Sequence, residues 1–289
     1  MKIVTDCAAD LSAKERSEFG IIEAPLYIQF PEGEIDATDI LPDDFYNRLE
    51  AMRPEIPTTA QPSSGLFAEL YKKLAGDSGD ENQILSIHIS SGLSGTLNSA
   101  DTGAMQLKEN VVTTVDTMTL SGGQRFQVLA AAKAAQLGWS IDKILARLDE
   151  IRAKTEVIYT LETLEYLARG GRIGRVQALA GSVLKIKPII CVDHADGKYT
   201  TVGKGRTIKK NVATMVKHIA DIYGDEPLWT TVLHGRFEKG VKMMTSALED
   251  GLNIGKFETI RISPVLGVHT GPGIVGAAVL PMTLMEGLF

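Results

Sequence analysis

Apolar residues recur along this chain at two spacings, and their order already suggests an architecture. Near-continuous apolar runs at residues 2–5, 21–30, 84–90 and 111–115 read as buried strands. Between them lie helical patterns. Leu66, Leu70 and Leu74 recur at i, i+4 and i+8 behind Pro62-Ser63-Ser64, which offers a hydroxyl cap. The run 84–90 leads through a polar turn, 90–96, into a less regular helix, and an alanine-rich helix over 124–137 is stopped by Gly138. Ile141, Ile144, Leu145, Leu148 and Ile151 then mark one apolar face. Strands alternating with helices predict a parallel sheet, and the pattern changes near residue 155. Beyond it, strands are expected at 157–161, 188–192, 228–233 and 257–262, with helices over 208–222 and near 240–250. Residues 263–285 carry no Lys, Arg, Asp or Glu, but Gly267, Gly271, Gly273, Gly276, Pro272 and Pro281 interrupt them, so they read as a buried strand and loop rather than a membrane span.

With 289 residues, 44% of them apolar and 23% charged, the chain has the composition of a globular protein large enough to enclose a ligand. Cys7 and Cys191 show no metal or disulfide spacing, and a cytoplasmic location is expected. The net charge of −6 opposes general nucleic-acid binding. It is unevenly spread, because ten bases face two acids between Arg169 and Lys210, making that stretch +8 and leaving the remainder at −14. A solvated face or an oppositely charged partner would account for it equally well.

The motifs narrow the chemistry. Gly271-Pro272-Gly273-Ile274-Val275-Gly276 matches the dinucleotide fingerprint formally, yet too few residues remain after it to supply the helix and ribose-binding acid it needs. No P-loop and no metal-ligand spacing is present; Gly170-Gly171-Arg172-Ile173-Gly174-Arg175 reads as a basic turn. The segment Ser91-Gly92-Leu93-Ser94-Gly95 falls short of a nucleophile elbow. Small hydroxyl residues and glycines at a strand-to-helix turn suit an anion, or simply cap the helix. His269, between turn glycines, reads as a loop histidine at a site, and His88 as a satisfied strand residue.

Taken together, Val4-Thr5-Asp6, Thr59-Ala60-Gln61-Pro62-Ser63, the turn from Ile89 to Thr96, Leu164-Glu165-Tyr166-Leu167 with Gly170-Gly171-Arg172-Ile173, and His269-Thr270-Gly271-Pro272-Gly273 closely resemble the DegV family, in its order and over nearly the whole chain. The resemblance implies a two-domain α/β fold: a parallel-sheet domain over 1–155, and a second α/β domain with a mixed or antiparallel sheet over 156–289. It implies a bacterial lipid-binding protein without cofactor, metal or catalytic residue, holding a long-chain fatty acid; a monomer is expected, because a carrier must expose its delivery face. Thr59, Ser91 and His269 would grip the carboxylate, helped by backbone around Gly92 and Ser94. Arg172 and Arg206 would dock a separate ATP-dependent fatty acid kinase of the FakA type, which makes the acyl phosphate. Ala60 and Cys7 depart from the family's usual serines. Readings from other classes are a serine acyl hydrolase using Ser91 or Ser94, a small-polyol kinase subunit by analogy of fold, and a nucleic-acid-binding regulator.

Overall fold

A computed structural model describes residues 1–76, 83–108, 111–176 and 186–289. The chain opens with β1 (Lys2–Asp6), a short 3-10 turn (Cys7–Ala9) and α1 (Ala13–Phe19). Ser12 caps α1, exchanging hydrogen bonds with Glu15. The apolar run at 21–30 is not one strand but two, β2 (Ile21–Ala24) and β3 (Tyr27–Phe30), which join different sheets. Proline at position 25 lacks the amide N–H needed to continue a ladder. Next in order are β4 (Gly33–Asp36), α2 (Pro42–Ala51), β5 (Thr58–Ala60), α3 (Ser64–Ala75), β6 (Ile84–His88), α4 (Thr96–Ala104) and β7 (Val112–Asp116). Strands β2-β1-β6-β7 form a wholly parallel sheet. Strands β4-β3-β5 form a small antiparallel one, of which the sequence pattern predicted a strand only at β3, inside the run at 21–30.

Ser63 caps α3 as expected, accepting from Leu66 N, but the side turned to the core differs from the leucine stripe. Phe67 and Tyr71 are fully buried, while Leu70 and Leu74 pack at the margin. Aromatic rings cover more apolar surface per residue, so they take the interior.

Helices α5 (Ser121–Gln136) and α6 (Ile141–Lys154) complete the first half. Gly138, at φ +73°, supplies the left-handed turn between them. Helix α5 is buried nearly all round, which its small side chains permit. On one side, Gln124 Nε2 donates to Thr5 Oγ1 and Asp6 Oδ1 of the parallel sheet, both at 3.1 Å. On the other, Gly122 and Gly123 lie so close to Ala278 and Val157 that a Cβ on either would sit 2.6 Å from a neighbouring carbon. The helix is thus a thin spacer between two sheets.

The second sheet is built from β8 (Glu156–Leu161), β9 (Lys187–Val192), β10 (Tyr199–Gly205), β11 (Leu228–His234), β12 (Ile254–Arg261) and β13 (Ile274–Pro281), with α7 (Glu165–Arg169) after β8. Its order is β10-β9-β8-β13-β11-β12, antiparallel except for the β11–β12 pair. The architecture is α/β, with one parallel sheet and one mixed sheet. Residue 155, near which the sequence pattern changes, lies between α6 and β8. Helices α8 (Ile208–Tyr223) and α9 (Glu238–Gly251) cover one face of the mixed sheet through Val212, Met215, Met244 and Leu248. Strands β11 and β13 are buried end to end, which explains why neither carries a Lys, Arg, Asp or Glu.

The uncharged segment at 263–285 departs from expectation. It begins with a helix, α10 (Pro264–Thr270), and only then becomes β13. Proline is well placed in the first turn of a helix, and Gly267 lets α10 lie against α2, where a Cβ would stand 2.7 Å from the Phe45 ring. Gly271, at φ +71°, ends it. The glycine-rich turn runs into strand β13 instead of a helix, so it lacks the strand–turn–helix structure of a dinucleotide site.

Candidate functional site

Strand β5 is held against β3, with Thr59 opposite Ile28. The last turn of α10 faces it, and Thr59 Oγ1 meets His269 Nε2 at 2.8 Å across 210 residues of sequence. His269 is therefore a helix residue rather than a loop residue, and only 9% exposed. Burial first, and then the Arg172 guanidinium, push its pKa down to about 4, so the imidazole is neutral at pH 7. Its Nδ1 is buried without a hydrogen-bond partner. The basic turn closes that side. A Cβ on Gly170 would stand 2.3 Å from His269 Nδ1, so only glycine admits the ring in this position. The Gly170 carbonyl in turn accepts from Arg172 Nη1 at 2.9 Å.

These groups border a cavity of about 40 Å³ whose walls include Thr59, Ser94, Arg172, Tyr199 and His269 on the polar side, and Ala8, Leu26, Ile89, Leu93, Val265 and Leu266 on the apolar side. That space takes roughly three water molecules, or one carboxylate. It does not take a long hydrocarbon chain unless the apolar walls part. A hydroxyl, a neutral imidazole and a guanidinium converging on it form a donor set suited to a single carboxylate oxygen pair.

The strand-to-helix turn is arranged differently from its sequence reading. Ser90 is fully buried; its Oγ donates to Gly197 O at 2.9 Å and accepts from Gly92 N at 3.1 Å. Leu93 N and Ser94 N both donate to Ser90 O, so the chain makes one helical turn here. The consequence is that Ser94, four residues after Ser90, reaches the cavity wall, its hydroxyl 2.8 Å from Thr96 Oγ1. Ser91 sits on the opposite side of that turn. Its side chain is exposed, its N–H faces the Asp116 carboxylate at 3.3 Å, and it does not line the cavity with Thr59 and His269. Gly92 and Ser94 are expected to lend backbone N–H groups, but both are already committed within the turn.

The basic residues separate as well. Arg172 belongs to the cavity wall, whereas Arg206 is exposed near Lys204, Lys209 and Lys210 where β10 runs into α8. Arg175 pairs with Asp193 (2.9 Å) and Asp196, and Arg169 with Glu165 (3.2 Å), so part of the +8 stretch is locally neutralised. Lys185 of that stretch lies outside the described residues. Tyr199 lines the cavity although no sequence pattern pointed to it, and Gly170, which the sequence offered only as part of a basic turn, lies against the His269 ring; a glycine pair before an arginine signals close approach only once its neighbour is known.

Elsewhere, Cys7 and Cys191 are buried free thiols whose pKa values burial raises. Among the described residues, no group of three or more His, Cys, Asp or Glu side chains is arranged to hold a metal ion. No helix among them is long and apolar enough to cross a membrane.

The sequence model of an uncharacterised protein family, DegV, matches residues 1–282. A DegV domain-containing protein of Deinococcus radiodurans is 36% identical over 259 residues, covering 89% of this chain and 88% of the relative. One from Staphylococcus aureus is 31% identical over 280 residues, covering 96% and 98%. Among solved structures, a fatty-acid-binding DegV family protein of Thermus thermophilus superposes with a TM-score of 0.88 at 30% identity, covering 97% of this chain and 99% of that one. The Bacillus subtilis DegV, described as a fatty acid binding protein, gives 0.85 at 28% identity, covering 97% and 98%. With its sequence matched almost from end to end, and its fold superposing on solved relatives over 97% of its length, this chain belongs to the DegV family.

Proposed function

We propose that this protein binds a long-chain fatty acid and presents its carboxylate, without chemistry of its own, to a separate ATP-dependent fatty acid kinase. The observation that carries the reading is the contact between Thr59 and His269 at the wall of a small cavity, half of it apolar, that Arg172 also borders. Fatty acid binding by structural relatives at 28% and 30% identity supports it.

In this reading the cavity takes the head group. Thr59 and His269 hydrogen-bond the carboxylate, Arg172 supplies countercharge and Ser94 lies within the same wall. Arg172 thereby acts on the ligand, in place of the docking role first expected of it. Arg206 and its neighbouring lysines remain the surface for the kinase. The tail enters by separating the apolar walls; about 15 methylenes at ~0.8 kcal/mol each would contribute roughly 12 kcal/mol before association entropy is subtracted. That gain is large enough to offset local repacking of a few side chains. Ser91 and Gly92, whose groups lie off the cavity, join the ligand only if the turn moves with it.

The test is direct. Gently purified protein, extracted with organic solvent and analysed by mass spectrometry, is expected to release a fatty acid, and delipidated protein is expected to take up palmitate or oleate stoichiometrically. His269→Ala is expected to weaken that uptake at least tenfold. Protein that carries none and binds neither would refute the reading.

A further inference from the structure

Asp10 occupies a junction that the proposed binding chemistry does not use. It closes the Cys7–Ala9 turn in a left-handed conformation, φ 54°, an uncommon backbone state for a residue with a side chain. Ser121, at the start of α5, is also left-handed, φ 53°. The Asp10 carboxylate joins them: Oδ2 accepts from Ser121 Oγ at 2.5 Å, and Oδ1 accepts from Ser263 N at 2.7 Å. Ser263 is the residue on which α10 begins, and its own side chain makes no cap.

The segments tied here bear on the head-group cavity. The Cys7–Ala9 turn contributes Ala8 to its wall, and α10 contributes Val265, Leu266 and His269. Helix α10 is one short element of seven residues. His269 lies within two turns of Ser263, so a shift at the start of the helix is transmitted rigidly to its last turn. Two residues strained in the same sense and bonded to each other persist only where the surroundings enforce them.

We propose that Asp10 is a positioning residue for the carboxylate site: by tying the start of α10 to the first strand–turn unit, it holds His269 in register with Thr59. This inference rests on the proposed fatty acid binding, and deepens it by naming the group that sets the site's geometry. The carboxylate also borders a second, more open cavity of about 400 Å³, shared with Cys7, Arg16 from α1, Glu23 from β2 and Arg261 from β12. Tyr46 of α2 lies close enough to feel its charge. Burial raises the Asp10 carboxyl to about 7, an increase opposed by its hydrogen bonds to Ser121 and Ser263, so its ionisation is sensitive to conditions near neutrality.

Asp10→Asn and Asp10→Ala separate the tie from the charge, since an amide accepts from Ser263 N and donates to Ser121 Oγ whereas alanine does neither. Palmitate binding to delipidated protein at pH 8 is read alongside amide exchange of residues 263–270, with 208–223 as an internal reference. Asp10→Ala is expected to weaken palmitate at least tenfold and to speed exchange at 263–270 about tenfold, leaving 208–223 unchanged. Asp10→Asn is expected to restore both to within threefold of wild type. An Asp10→Ala protein that loses thermal stability yet keeps wild-type affinity and exchange would overturn the proposal, as would an Asp10→Asn protein as defective as alanine. Should wild type bind no palmitate, the fatty acid reading fails, and the exchange comparison alone decides whether Asp10 fixes α10. If Asp10→Ala does not fold, Ser121→Ala, which removes one of the two bonds, is expected to speed exchange at 263–270 about threefold; no change there would likewise overturn it.

Discussion

Two histidines in this protein sit in polar clusters of similar composition and opposite character. His88, on β6, holds Asp6 Oδ2 through Nδ1 at 2.9 Å and Ser86 Oγ through Nε2 at 2.7 Å, and Ser86 Oγ continues to Tyr71 OH at 2.8 Å. By composition this is a Ser-His-Asp array. Both ring nitrogens are satisfied, His88, Ser86 and Asp6 are fully buried, and none of the three borders the cavity beside Thr59 and His269. His269 has one nitrogen on Thr59, the other unpaired, and a cavity at its edge. The comparison teaches that access and incomplete satisfaction, rather than residue identity, separate a candidate binding group from a structural one. It also weighs against the hydrolase reading, because the serine that touches a histidine among the described residues is Ser86, sealed in the interior.

Asp6 shows what the closed cluster does instead. It accepts from Ala8 N, Ile89 N, His88 Nδ1 and Gln124 Nε2, and both Ala8 and Ile89 are walls of the cavity beside Thr59 and His269. The closed cluster is the foundation on which the open one stands.

The largest way to break this contrast is His88→Ala. It strands the Asp6 carboxylate and the Ser86 hydroxyl in the interior, and is expected to cost about 3–5 kcal/mol of stability by urea unfolding. His269→Ala removes one hydrogen bond at a cavity edge and is expected to cost about 1 kcal/mol. Equal losses would erase the distinction.

Acid provides a second, smaller test. The folded-state pKa of His269 lies near 4, below the ordinary imidazole value of 6.5, so the unfolded chain binds the proton more readily. The stability this group contributes is present above pH 6.5 and lost as the pH falls towards 4, by up to about 3 kcal/mol. Asp10 works in the other direction: with its folded pKa raised to about 7 from 3.8, its ionisation lowers stability as the pH rises through that interval. Equilibrium unfolding from about pH 4 to 8 is expected to show the acid-side loss diminished in His269→Gln. An unaltered profile would mean that the buried imidazole titrates normally.

The smallest expected effect sharpens the role of the basic turn. Gly170→Ala places a methyl group against His269 Nδ1, and is expected to weaken fatty acid binding about tenfold, equivalent to ~1.4 kcal/mol, with stability changed by no more than about 1–3 kcal/mol of overpacking. Calorimetric titration of delipidated protein with palmitate measures it. Wild-type affinity would show that the imidazole tolerates displacement.

Much of the scaffold is legible in the order of residues alone. The runs that become β1, β6, β8, β11 and β13 are buried strands, and burial on both faces writes itself into sequence as short runs dominated by apolar residues. The stripe of α8 is equally plain, because Ile208, Val212, Met215 and Ile219 all point into one core. Strands β3 to β5 are not legible as a sheet, being three or four residues long and stabilised by one another. Helix α10 is hidden by its glycines, which signal a loop until Gly267 is found pressed against α2.

For the site, the sequence determined which residue types were at hand: a threonine after β3, hydroxyls in a strand-to-helix turn, a histidine in an uncharged segment and an arginine after two glycines. It did not determine which of them meet. Thr59 and His269 touch because α10 is a helix laid against the small sheet; Ser94 faces inward and Ser91 outward because one turn of backbone lies between them and Ser90 anchors its start. Local patterns record which surface each segment buries, whereas convergence across 210 residues depends on how rigid elements stack, and only the packed chain fixes that.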